Sequence, residues 1–235
     1  MFRRVEPRAG DGAARLPERL SSAGRALVAG GGADRVAEAL RDLVADGALV
    51  PGTRLPEDAT SASLGVSRNT LREAFRLLVR EGLLRHELHR GVFVRSLSAA
   101  DVADVYRFRR VLEFAAVDGP HDPVALQRVR QAVEEGGAAR RAGDWDAVGT
   151  ANSHFHSAVV ALAGSPRMDE SMRHLLAELR LAFVVVTDLR PFHEPYLEEN
   201  ARIADHLEAG ERGRAGRLLA AYLDRAEAQL LSAHR

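Results

Sequence analysis

Apolar residues recur at i, i+4, i+7 and i+8 in Val36, Leu40, Leu43 and Val44. That spacing predicts an amphipathic helix, opened by Asp34 as a plausible N-cap and ending near Gly47. Pro51-Gly52 marks a turn, and Leu55-Pro56 leads into a second, less clearly patterned helix over residues 57–64. Gly65 then supplies a tight turn, because glycine adopts left-handed backbone angles without a Cβ penalty. Ser67 is placed to cap a third helix by accepting from an amide of its first turn. Past that cap, Leu71, Ala74, Phe75 and Leu78 form an apolar stripe, while Arg68, Arg72 and Arg76 step by four along the other side with Asn69 beside them. Two short extended runs follow, 84–88 and 92–97, with His89-Arg90-Gly91 as the tip of a hairpin. Residues 33–97 thus read as a winged helix-turn-helix of three helices and a two-stranded wing.

From Ser98 the period is helical throughout, and Ser98-Ala99-Ala100-Asp101 has the form of a capping box. Six helices are predicted, over about 98–117, 122–142, 144–163, 165–189, 193–209 and 211–233. Asp122-Pro123 and Ser165-Pro166 each place a cap before proline at the first helical position, and Gly143, Gly164 and Gly210 fall at helix ends. Gly136-Gly137 weakens the second of these helices and is a place where it could split. The chain is therefore expected to be mainly α, with an all-helical domain over residues 98–235. Residues 1–32 carry six arginines and three acids among Gly, Ala and Ser and end in Gly30-Gly31-Gly32. They are expected to form a disordered arm, with a weak helix conceivable from Arg15 to Val28.

Composition narrows the chemistry. The 235 residues include 33 basic and 33 acidic ones, so any surface attractive to nucleic acid must be local. Every basic residue is arginine, the side chain that suits bidentate recognition of phosphate and guanine. The absence of cysteine excludes disulfides, thiolate zinc sites and cysteine nucleophiles. The longest apolar run, Leu181 to Val186, is too short to span a bilayer, and no apolar stretch follows Met1-Phe2-Arg3-Arg4 as a signal peptide requires. A cytoplasmic protein without membrane contact is expected.

An arginine-faced helix alone reads equally well as a solvated surface; the basic-tipped hairpin behind it favours DNA binding. The motifs from residue 34 to 97 resemble the winged domain of the GntR family of bacterial transcription regulators. They are Gly47-Ala48-Leu49-Val50-Pro51-Gly52-Thr53-Arg54-Leu55, Leu64-Gly65-Val66-Ser67-Arg68, Leu71-Arg72-Glu73-Ala74, Glu81-Gly82-Leu83 and Arg90-Gly91-Val92-Phe93-Val94. The helical remainder, around Asn152-Ser153-His154-Phe155-His156, is similar to the FCD effector domain. The resemblance implies that arginines after the turn read the major groove while the wing tip enters the minor groove. Carried over by residue, it gives a DNA-contact set of Arg54, Ser67, Arg68, Asn69, Thr70, Arg72, Arg76, Arg90 and Gly91. An arginine bidentate to guanine O6 and N7 is worth about 1–3 kcal/mol of discrimination. The chain departs from the family at Asp58, where relatives usually carry a phosphate-holding arginine; Arg54 is a possible replacement.

The helical domain aims polar residues at its expected core. Arg109 lies in the row of Val102, Val105, Leu112 and Ala116; Asn152 and His156 adjoin Phe155; Asn200 falls between Tyr196 and Ile203; Tyr222 sits among Leu218, Leu219 and Leu223. Buried polar groups cost free energy unless paired, so four such helices point to a shared polar cavity. Each residue taken singly also reads as an ordinary satisfied core group, and Arg109 has Glu113 nearby as an internal partner. Many FCD domains hold a divalent metal through an Asp or Asn and three histidines. The corresponding positions here are Asn152, His156, Asn200 and Tyr222, a degenerate set, so no cofactor and no metal is expected. Arg109, Asn152, His156, Asn200 and Tyr222 are instead expected to bind a small, acidic organic effector directly. The resulting expectation is a homodimeric regulator, a repressor of a palindromic operator on double-stranded DNA, and not an enzyme. A metal-dependent helical enzyme would need a complete ligand set or a nucleophile with its base, and Asp146, His154 and His156 make a poor one. A winged domain used only for protein contacts is the other alternative.

Overall fold

The computed structural model describes residues 12–27, 32–45, 47–119, 123–183, 186 and 189–233, which form ten helices and three strands. They divide into two compact units, Met1–Leu97 with Ala177–Val185, and Ser98–Leu176 with Val186–Arg235. Residues 1–11 and 28–31 of the expected arm and the cap expected at Asp122 lie outside the described residues.

In the first unit the expected arm contains a helix, α1 (Gly12–Ala26), which packs on α3 (Glu57–Leu64). Leu20 and Leu27 are buried, and a Cβ on Gly24 would come within 2.7 Å of the Leu64 carbonyl oxygen. The physical reason for the difference from disorder is tertiary. Two leucines and a close glycine contact give this arginine-rich stretch an apolar seat that its composition does not advertise. Helix α2 (Ala33–Ala45) buries Val36, Leu40, Leu43 and Val44 and packs against α4 (Arg68–Arg80), which buries Leu71, Ala74, Phe75 and Leu78. Arg41 of α2 spans to Glu81 beyond α4 through paired hydrogen bonds of 2.9 and 2.8 Å.

The turn between α3 and α4 forms as its residues dictate. Gly65 takes φ 66°, and Ser67 accepts from the Thr70 amide at 3.1 Å. The wing differs from expectation by one strand. Besides β2 (Leu84–Glu87) and β3 (Gly91–Val94), β1 (Arg54–Leu55) pairs antiparallel with β3, giving the order β1-β3-β2. Two residues carry no readable alternation, and β1 exists because β3 offers a free edge to Arg54 and Leu55 opposite Phe93 and Val92. Arg95, just past β3, donates to Glu178 at 2.7 Å, an interaction that accompanies the assignment of Ala177–Val185 to this unit.

The second unit is all-helical. Its helices are α5 (Ala99–Asp118), α6 (Pro123–Ala142), α7 (Trp145–Ala161), the greater part of α8 (Pro166–Ala182), α9 (Leu189–Glu208) and α10 (Arg212–Ala233). Ser98 and Asp101 complete the capping box of α5, and Asp144 caps α7 by accepting from Ala147 at 2.9 Å. Helix α8 ends earlier, and α9 begins earlier, than the apolar pattern predicts. Pro191 lies in the first turn of α9, where its missing N–H has no helical partner to lose. Helix α6 runs unbroken through Gly136-Gly137. Gly136 is buried, and a Cβ there would approach Leu197 of α9 to 2.9 Å, so the residue marks close helix packing and not a break.

Candidate functional sites

Helix α4 presents its polar face to solvent by simple geometry. Its apolar stripe faces α2, so Arg68, Arg72 and Arg76, spaced by four, emerge together with 65, 57 and 67% of each side chain exposed. Asn69 is exposed beside them, whereas the Ser67 and Thr70 hydroxyls bond each other at 2.8 Å across the cap. The arginines are not bare cations. Arg68 Nε meets Asp58 at 3.0 Å, Arg72 Nε donates to Glu57 at 2.7 Å, and Arg76 pairs with Glu73 on its own helix. These pairs are exposed and contribute little to stability. Asp58 thus sits against Arg68 of the exposed row.

The wing gathers a second basic group. Arg54 and Arg85 both lie opposite Phe93 across the sheet. The Arg85 and Arg90 guanidiniums stand 5.7 and 5.4 Å from the Phe93 ring centre, within cation–π range. Arg90 also pairs with Glu87, and Gly91 takes φ 103° with a built Cβ only 3.7 Å from Arg54 Nε. His89 at the tip adopts φ 60°, a conformation uncommon outside glycine. The sequence pattern does not single out Arg85 and Phe93; the sheet order places Phe93 between Arg54 on one side and Arg85 on the other.

The second unit brings Arg109, Asn152, His156, Asn200 and Tyr222 into one cluster, in which all but the half-buried Asn152 are buried. Arg109 Nε donates to Glu113 Oε1 at 2.9 Å, one turn along α5, and His156 Nδ1 lies 2.7 Å from Glu113 Oε2. On the other side, Asn152 Oδ1 accepts from Asn200 Nδ2 and from the Tyr222 hydroxyl, each at 2.8 Å. The rings of His156 and Tyr222 join the two halves, with centres 5.0 Å apart. The sequence offers Glu113 as a local partner of Arg109 and gives no sign of its role as the hub. It is fully buried and links two of the expected residues. Tyr106 was also missed; it lies under the Arg109 guanidinium at 5.0 Å, and burial pushes its hydroxyl up to about 12.

Electrostatics fix the protonation states. Burial drives the His156 pKa below its ordinary value, outweighing the attraction of Glu113, so the imidazole is neutral at neutral pH. Burial pushes Glu113 the other way, yet His156 and the Arg109 guanidinium together hold its carboxyl below the usual range. A neutral His156 then donates from Nδ1 to Glu113 and keeps Nε2 as an acceptor. Among the described residues, Arg109 Nη2, His156 Nε2 and Asn200 Oδ1 are buried with no hydrogen-bond partner. One donor and two acceptors thereby remain without a protein partner in this cluster.

Few donors in this arrangement are free for a divalent metal. Both lone pairs of Asn152 Oδ1 are engaged by Asn200 and Tyr222, and His156 offers a single nitrogen. Among the described residues no group of three or more His, Cys, Asp or Glu is placed to hold a metal ion.

Comparison with known proteins gives a consistent picture. Residues 32–94 match the model for bacterial regulatory proteins of the gntR family, and residues 104–225 match the FCD domain. A GntR transcriptional regulator from Rhodococcus sp. RHA1 superposes with TM-score 0.80 at 47% identity, covering 86% of this chain and 99% of that one. The probable D-xylose utilization operon transcriptional repressor of Paenarthrobacter nicotinovorans is 30% identical over 75% of this chain and 80% of its own length. The HTH-type regulator YdhC of Bacillus subtilis is 31% identical over 58% of this chain, a match spanning 62% of that regulator.

Proposed function

Because the chain belongs to the gntR family of bacterial regulatory proteins and carries an FCD domain, we propose that it is an effector-controlled repressor acting as a homodimer on a palindromic operator. It is a DNA-binding transcriptional regulator and not an enzyme. The observation that carries the DNA reading is the exposed row of Arg68, Arg72 and Arg76 on a capped second helix, followed by a wing whose tip holds Arg90 and Gly91. A recognition helix spans only a few base pairs, so two copies reading two half-sites supply the remaining specificity. No helix among the described residues is long and apolar enough to cross a membrane, which accords with a cytoplasmic site of action.

The effector is a small organic acid bearing at least two hydroxyl groups. Arg109 Nη2 would donate to the acid, and His156 Nε2 and Asn200 Oδ1 would each accept from a separate hydroxyl, so the three orphaned atoms are satisfied together. No metal takes part. Binding would repress or release DNA only if the ligand prefers one conformation, since equal affinity for two states shifts neither.

Two experiments test the reading. Full-length protein is incubated with a randomised duplex library, and the bound fraction is sequenced. Wild type is expected to enrich a two-fold symmetric motif, and Arg68→Ala with Arg72→Ala to enrich none; equal enrichment by the double variant sinks the DNA assignment. A thermal-shift panel of hydroxy acids, plain carboxylic acids and neutral polyols then probes the cluster. At a hundredfold excess over Kd, the right class stabilises by about 2.7 kcal/mol. That gain is expected to vanish in Asn200→Leu, and a shift that survives the substitution places the ligand elsewhere.

A further inference from the structure

Glu57 and Asp58 stand in the first turn of α3, where the ordinary role of an acid is to complement the helix dipole. Their geometry goes further than that role requires. Each reaches across to one reading arginine of α4, Glu57 to Arg72 at 2.7 Å and Asp58 to Arg68 at 3.0 Å. In both pairs the contact is made at Nε, on the side of the guanidinium. The two terminal amines at the end of the fork are the groups that donate in parallel to guanine O6 and N7. A carboxylate on Nε therefore turns the fork end-on without consuming the hydrogen bonds that read a base. It also biases rotation about the last side-chain bonds, offsets the positive charge, and occupies the edge that would wrap a phosphate.

We propose that Glu57 and Asp58 are specificity-determining positioning residues, which aim Arg72 and Arg68 at base edges and suppress sequence-independent phosphate binding. The inference rests on the DNA reading above. The same compensation extends to Arg76 with Glu73 and Arg90 with Glu87, so each of the four arginines named here carries a carboxylate partner within the unit. A surface organised in this way attracts any duplex weakly and gains its advantage only where bases satisfy the aimed forks.

The test compares full-length wild type with the isosteric double variant Glu57→Gln, Asp58→Asn. The probes are a mixed-sequence duplex outside the enriched motif and the motif that the wild type itself selects from the randomised library. Fluorescence anisotropy across a salt series reads both. The variant is expected to bind the mixed-sequence duplex at least about tenfold more tightly. Its plot of log K against log salt should steepen by about one to two units, as one or two new phosphate contacts require. The ratio of motif to mixed-sequence affinity should fall by about tenfold or more, and re-selection should return a motif degenerate at the bases read by Arg68 and Arg72. An unchanged ratio, with or without a general rise in affinity, overturns the inference, because charge alone moves both probes equally. Melting temperature serves as the control: a merely structural role would lower it and leave the salt slope in place. Should Arg68→Ala with Arg72→Ala still select the wild-type motif, the DNA reading itself fails, a result distinguishable from failure of the positioning role.

Discussion

At the scale of single residues, the buried trio of Arg109, Glu113 and His156 makes stability depend on proton concentration. Burial depresses the His156 pKa below 6.5, so in mildly acid solution the unfolded chain binds a proton that the folded chain refuses. The sign is fixed: this stabilisation is complete above about pH 6.5 and is lost as pH falls below it, by at most about 1.4 kcal/mol per pH unit. Glu113 is held below its ordinary value of 4.5, so its stabilisation is present above that pH and fades in a separate, lower window. Melting curves between pH 7.5 and 5.5 should show a falling midpoint in the wild type and a smaller slope in His156→Gln. An equal slope in the variant would place the titrating group elsewhere. Arg109→Leu should be more damaging at neutral pH, costing about 3–5 kcal/mol, because it strands a buried carboxylate. Urea unfolding at fixed pH reads that difference.

Among the secondary-structure elements, legibility followed the strength of the local pattern. The capped turn at Gly65-Ser67 and the stripe of α4 were readable because glycine geometry, a side-chain cap and 3.6-residue periodicity all act within a few residues. Strand β1 was not, since two residues pair only because β3 is already there. Helix α1 reads from sequence as part of an arm with at most a weak helix, because Leu20 and Leu27 are too few to outweigh its arginines until α3 is present to receive them. Gly136 carried the opposite error: a residue that weakens an isolated helix marks where Leu197 packs close. The candidate ligand residues are legible as inward polar positions, and so is the local pair Arg109–Glu113, whereas the hub role of Glu113 is not, because its link to His156 joins α5 to α7. The seat of α1 can be tested directly. Gly24→Ala would drive a methyl into the Leu64 backbone at 2.7 Å, and overpacking of this kind typically costs about 1–3 kcal/mol. Limited proteolysis should then cut within α1 faster than in the wild type, with α4 protected equally in both.

At the scale of the whole molecule, 33 positive and 33 negative charges cancel, and the basic surface on α4 and the wing is itself partly neutralised by its own carboxylates. Long-range attraction to DNA is accordingly weak, and recognition must be made at contact. The first unit has a further property: its residues are not contiguous, since Ala177–Val185 completes what Met1–Leu97 begins. On a ribosome, the residues from 98 to 176 must therefore be made before the reader's last segment exists. At about 5–20 residues per second this is a wait of several seconds, during which a nascent winged module is short of the partner of Arg95. A fragment ending at Leu97 should reproduce that waiting state, and one measurable sign would be a lower melting point than the same module shows in the full chain. The order of translation thus delays completion of the DNA-reading unit until most of the helical unit has been synthesised.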